Sequence, residues 1–93
     1  MARFYHKTVY TDAIDEIELK PMKEGRVYLL IENRSSYACY LNFDDHADSL
    51  NGIEIVAGGY YELERVAPDN VLRLRGTSPA GTPMRLNVTE GYI

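Results

Sequence analysis

The chain has 93 residues, 45% apolar and 26% charged, with a formal net charge of −4. A chain of this length makes one domain, and this apolar fraction makes a folded chain, not a disordered one. The negative balance argues against nucleic acid as the main partner, and the longest apolar run, Val27 to Ile31, is far too short to span a bilayer.

A chain this short buries roughly 60–65% of its unfolded surface, enough for one thin core. Cys39 is the single cysteine, so no internal disulfide forms and folding in a reducing cytoplasm is expected. The start, Met-Ala-Arg-Phe-Tyr-His-Lys, has no apolar signal core. Charge is uneven: residues 1–64 hold 6 Lys/Arg and 12 Asp/Glu, residues 65–93 hold 4 Arg and 2 Asp/Glu. That asymmetry suits patchy electrostatic docking.

Glycine and proline mark the joints, and the runs between them are short and alternate with period two. Strands are predicted near residues 3–10, 15–20, 26–32, 36–43, 52–56, 60–65, 70–75 and 84–89. Strands at this spacing make an all-β fold, a small antiparallel sandwich of jelly-roll type filling residues 1–93 as one domain. The first run, Phe4 to Tyr10, alternates poorly and is read as an extended N-terminal arm over residues 1–12. Asp12 to Glu16 could form one turn of helix, too short to stand alone. The inward sets are Ile17/Leu19, Val27/Leu29/Ile31, Tyr37/Cys39/Leu41/Phe43, Ile53/Ile55, Tyr61/Leu63, Leu72/Leu74 and Met84/Leu86/Val88.

Two turns bear on register. A loop over Arg65 to Asn70 makes a hairpin with Leu63 facing Leu72, Tyr61 facing Leu74 and Glu62 meeting Arg73, which pairs like with like and opposite charges together. At Gly58-Gly59 a tight two-residue hairpin would mix the faces. Either a three-residue loop with Gly59 left-handed or a crossover between two sheets fits better.

The side chains that carry chemistry are few. Asp44, Asp45 and Asp48 are the only metal-like cluster, and they lack the glycine and distal glutamate of a calcium loop, so a solvated acidic connection is the expectation and no metal or other cofactor is assigned. His6 and His46 lie apart in the arm and the acidic loop, and Cys39 points inward, so no nucleophile–base pair is in view and no enzyme is expected. Eight tyrosines are present. Tyr28, Leu30, Ala38 and Tyr40 fall opposite the inward sets and would form one external aromatic patch if strands 26–32 and 36–43 pair. Arg73, Arg75 and Arg85 share an outward parity and are read as neighbours. The candidate partner interface is Phe4, Tyr5, Tyr10, Tyr28, Leu30, Tyr40, Arg75 and Arg85.

The segments V-Y-L-L-I-E-N-R-S-S at 27–36, Y-L-N-F at 40–43, G-I-E-I-V-A-G-G-Y-Y-E-L-E at 52–64, V-L-R-L-R-G at 71–76 and M-R-L-N-V-T-E-G at 84–91 carry a resemblance. Over about two-thirds of its length the chain resembles small virion structural proteins of tailed bacteriophages, the β-sandwich proteins that decorate or cement the head. The shared motifs are structural, strand and asparagine or glycine turn, and Ala57 stands where that pattern has proline. The resemblance implies a non-enzymatic protein on the outer capsid surface, made in the host cytoplasm and bound between major capsid subunits. It also implies a homo-oligomer, such as a trimer, with neither nucleic acid nor membrane as partner. A tail or head–tail connector subunit and a carbohydrate-binding β-sandwich module are the alternatives.

Overall fold

The computed structural model describes residues 3–21, 24–64 and 71–92. Eight strands form in chain order: β1 (Arg3–Thr11), β2 (Ile17–Leu19), β3 (Arg26–Asn33), β4 (Cys39–Phe43), β5 (Ile53–Ile55), β6 (Tyr60–Glu64), β7 (Leu72–Gly76) and β8 (Met84–Tyr92). They build two four-stranded sheets, a first of order β1-β8-β3-β6 and a second of order β2-β7-β4-β5, and every pairing is antiparallel. Each connection except β4 to β5 crosses between the sheets, which is the double-sheet jelly-roll arrangement expected from the sequence.

The core lies between the sheets. Leu29, Ile31, Leu86 and Val88 from the first sheet meet Cys39, Leu41, Leu72 and Leu74 from the second, all essentially without solvent contact. Alternation places these residues inward, as the sequence pattern requires. Burial pushes the Cys39 thiol up to about 12, against a smaller opposing effect of a backbone hydrogen bond at Arg75. It behaves as a small apolar side chain.

Four expectations are corrected. Residues 3–11 are no arm: β1 pairs with β8 from Arg3↔Tyr92 to Thr11↔Met84. Its weak alternation reflects its place at the sheet edge, where even inward positions such as Lys7 remain exposed. An inward-pointing charge on an edge strand also discourages pairing with other chains. The 60–65/70–75 hairpin does not form. β6 pairs with β3, setting Leu63 opposite Leu29, Tyr61 opposite Ile31 and Glu62 opposite Leu30, whereas β7 pairs with β2 and β4. Period two assigns a side chain to a face but does not choose the neighbouring strand. The proposed loop, Arg65 to Asn70, lies outside the described residues.

Val27 is replaced in the inward set by Arg26. The register shifts between Arg26 and Tyr28, and one extra residue in a strand reverses the parity beyond it. Arg26 thereby turns inward, and its Nη1 lies 3.4 Å from Glu90 Oε2, which also accepts the Tyr92 hydroxyl at 2.6 Å. Finally, Tyr37 is not inward. Residues 34–38 form a turn held by Asn33, whose amide donates to the carbonyls of Tyr37 (2.7 Å) and Ile55 (3.0 Å) and accepts from Ser35 N–H and Oγ. Strand β4 therefore starts only at Cys39.

The two remaining turns follow local chemistry. Gly59 N–H donates to Val56 C=O at 2.8 Å, and Gly58, with φ +74°, occupies the left-handed position of that turn. Of the alternatives at the double glycine, the sheet crossover holds, with Gly58 and not Gly59 left-handed. Asp12 to Glu16 form no helix. Asp12 Oδ1 accepts the N–H groups of Ile14 and Asp15, closing a turn around a side chain, as aspartate commonly does in loops.

Replacing Asn33 with Ala removes the side-chain donor to the Ile55 carbonyl and one of two donors to the Tyr37 carbonyl, which keeps Ser35 Oγ at 3.0 Å. The expected loss is about 1–3 kcal/mol, read as a lower urea midpoint at unchanged slope.

Candidate docking face

The outer face of the first sheet is a grid set by register. Phe4, Gly91, Tyr28 and Glu64 make one row across β1, β8, β3 and β6. His6, Thr89, Leu30 and Glu62 make the next, and Thr8, Asn87, Glu32 and Tyr60 the third. Tyr10 and Arg85 pair at the far corner of β1 and β8. A shallow depression lies over the first two rows, between Phe4, Tyr28 and Leu30 on one side and Glu62 and Glu64 on the other.

Gly91 makes this depression possible. A Cβ there would stand 2.8 Å from Tyr28 Cβ and 2.9 Å from Phe4 Cε1. With no side chain in the way, Phe4 and Tyr28 close over the strand edge to face, centroids 5.7 Å apart and planes at 84°, a favoured aromatic geometry. Phe4 still exposes 55% of its surface. The Tyr28 hydroxyl donates to Glu62 Oε2 at 2.5 Å. That hydrogen bond, then burial and the neighbouring charges of Glu62, Glu64 and Glu32, push the phenol up to about 12. His6 Nδ1 and Thr89 Oγ1 are 2.9 Å apart on the floor, and Arg85 Nε donates to Asn87 Oδ1 at 3.3 Å.

The outer face of the second sheet is closed on itself. Glu16, just ahead of β2, is nearly buried and receives four donors: Arg73 Nη1 and His46 Nδ1 at Oε1 (3.4 and 2.8 Å), and Ala47 N–H and Arg75 Nη2 at Oε2 (2.9 and 3.3 Å). Arg75 also donates through Nε to Ala47 C=O and through Nη1 to Ala13 C=O. One glutamate and one arginine thus tie the 12–16 segment, the 44–52 loop and β7 together. Burial raises the Glu16 pKa, but the Ala47 amide, His46 and Arg73 outweigh it and hold the carboxyl below its ordinary value.

The sequence-derived interface residues therefore separate. Phe4, Tyr28 and Leu30 come together on the first sheet, with Tyr10 and Arg85 at the far corner of the same face. Tyr5 lies on the inner side of β1, edge to face with Tyr92 at 5.8 Å. Tyr40 stands on β4 beside Arg75 and Glu54, on the opposite side of the molecule from Tyr28. The single patch of Tyr28, Leu30 and Tyr40 does not exist, because β3 and β4 belong to different sheets. Arg75 and Arg85 separate for the same reason. Arg73 pairs with Glu16 and with Glu18 (3.3 Å) instead of Glu62.

The acidic loop is used for its own folding. Asp44, at φ +66°, accepts Val71 N–H at 3.1 Å; Asp45 accepts His46 N–H; Asp48 accepts Leu50 and Asn51 N–H, each at 2.8 Å. Among the described residues no three His, Cys, Asp or Glu side chains are grouped to hold a metal ion. Sequence reasoning missed Gly91, Glu62 and Thr89 on the candidate docking face and Glu16 on the other. The G-Y ending of the last strand was the one available signal, since glycine within a strand marks a close approach.

No family model matches the chain, and no curated protein sequence matches it. Among solved structures, the STIV MCP, a viral major capsid protein, is similar to it over 98% of this chain at 15% identity, with a TM-score of 0.39. The chain spans about half the length of that protein, 48% of which is covered.

Two outcomes are expected. Gly91→Ala forces Phe4 and Tyr28 apart and lowers stability by about 1–3 kcal/mol, with loss of the ring-current shift between them by NMR. Because the Glu16 carboxyl is held below its ordinary pKa, its contribution is present above that value and is lost as pH falls through the folded-state pKa. Thermal stability therefore drops on acidification below about pH 4, and in Glu16→Gln the drop is shallower from a lower starting point.

Proposed function

We propose that the chain is a non-enzymatic virion structural protein that decorates or cements a phage head, seating on the outer surface between major capsid subunits through the outer face of its first sheet. The observation that carries this reading is the Phe4/Tyr28 depression over Gly91. It is an aromatic, largely exposed surface on a rigid sheet, the kind of anchor that concentrates binding energy in protein interfaces. Jelly-roll sandwiches recur in viral capsid domains, and the fold-level analogy points the same way. Repeated copies on a symmetric shell, or an oligomer of this chain, gain avidity from contacts that are individually weak. The chemistry of the titratable groups supports a binding role: His6 is engaged by Thr89, His46 by Glu16, and the Cys39 thiol is buried with a raised pKa.

The jelly roll is shared with lectins, so a carbohydrate-binding module is the second reading, favoured by tyrosine and carboxylates around one depression. Co-sedimentation with capsids of the encoding phage separates them. Wild-type protein is expected to co-sediment saturably, and Phe4→Ala, on an exposed site, is expected to fold normally and bind about tenfold or more weakly. Equal binding by Phe4→Ala defeats the face assignment. Labelling confined to tails of intact virions supports the connector or tail alternative, and saturable glycan binding with tyrosine quenching supports the carbohydrate one.

A further inference from the structure

The first sheet ends, on the side away from β1, at the five-residue strand β6. Among the described residues β6 pairs with β3 alone. Asn33 N–H donates to Gly59 C=O at 2.9 Å, so 33 and 59 form a hydrogen-bonded pair. Antiparallel alternation then makes 31/61 and 29/63 the next hydrogen-bonded pairs. The backbone groups of Tyr61 and Leu63 are turned to β3, and those of Tyr60, Glu62 and Glu64 to the free edge. These three residues are also the exposed ones of the strand. Tyr61 and Leu63 point inward onto the core yet stay half-exposed. The Val56–Gly59 turn joins this edge to β5, the edge of the second sheet, where Ile53 (41%) and Val56 (59%) are also exposed.

We propose that β6 accepts an added strand from a protein partner, an extended segment in which Lys or Arg alternates with an apolar residue. An antiparallel strand laid on this edge bonds to the backbone of Tyr60, Glu62 and Glu64 and continues the sheet, a recurring mode of peptide recognition. Period two sorts its side chains. One set faces Glu62 and Glu64 on the outer surface, and the other covers Tyr61 and Leu63 on the inner side. Among the described residues the ion pairs leave Glu62 and Glu64 without a cation, and opposite charges directly across a strand pair are favourable. A second copy of β6 laid along the whole strand is the wrong occupant. Antiparallel pairing centred on Glu62 sets it against itself, pairing centred on Leu63 sets Glu62 against Glu64, and pairing centred on Tyr61 escapes these contacts only by leaving Glu64 beyond the paired stretch. Like charges opposite one another guard a sheet edge against self-association, so the acidic edge discriminates among partners. The inference rests on the β6 edge alone and requires neither the virion role nor the aromatic face.

The test is an NMR titration with a short synthetic peptide alternating Lys and Val, beside a control alternating Glu and Val. The Lys peptide is expected to bind saturably and to slow amide exchange at Tyr60, Glu62 and Glu64. The Glu control is expected not to bind. The double variant Glu62→Gln/Glu64→Gln is expected to weaken binding about tenfold. Glu62→Pro removes an N–H directed at the edge while keeping the β3 ladder, so it is expected to stay folded and lose binding. Absence of saturable binding by the Lys peptide overturns the proposal. So do equal binding of the two peptides, protection on β1 in place of β6, full binding by a folded Glu62→Pro, and concentration-dependent protection of β6 without peptide.

Discussion

Strand β8 is the constraint on which the rest depends. It is paired on both sides, with β1 and with β3, and each of its faces does different work. Inward, Met84, Leu86 and Val88 fill the core, and Glu90 and Tyr92 end the strand in the buried cluster with Arg26. Outward, Arg85, Asn87, Thr89 and Gly91 form the floor of the candidate docking face. The absence of a side chain at Gly91 lets residues from the two flanking strands touch across it. A buried ion pair such as Arg26–Glu90 contributes little net stability compared with apolar packing, but losing one partner is costly. It lies at the bulged start of β3, where the register against β8 shifts.

The two outer faces differ in kind. On the second sheet Glu16 accepts from two arginines, a histidine and a backbone amide. That network gives loops without regular structure a fixed place against β7. On the first sheet side chains bond to neighbours within and between rows, as in His6–Thr89, Tyr28–Glu62 and Arg85–Asn87, while Phe4, Tyr10 and Tyr60 remain open to solvent. Exposed aromatic rings on a sheet supply large contact area at modest entropic cost, which suits docking.

Much of the architecture was legible in the residues. Eight strands stand where alternation and the glycine and proline joints put them, with boundaries displaced by a few residues, and the apolar core comes from the expected inward sets apart from Val9, which the arm reading left out. The errors have one origin. Alternation reports a side chain's face and contains no term for which strand lies alongside. Leu63 fits Leu72 by chemistry as well as it fits Leu29, so Glu62 was assigned to Arg73 when its neighbour is Leu30. The same gap joined Tyr28 to Tyr40. Val27 was misplaced because a bulge inserts one residue invisibly, and Tyr37 because Asn33 captures the backbone ahead of β4.

The sequence alone determined an all-β fold, its strand spacing, its apolar faces and a buried cysteine, since these follow from period two, turn chemistry and composition. Tertiary structure decided which strands share a sheet, and with that the site. Phe4, Tyr28, Glu62 and Gly91 are far apart in the chain and meet only because β1, β3 and β6 are ordered around β8. Strand order depends on long-range pairing, in which loop closure and the fit of two sheets together select one arrangement from several with equivalent local patterns.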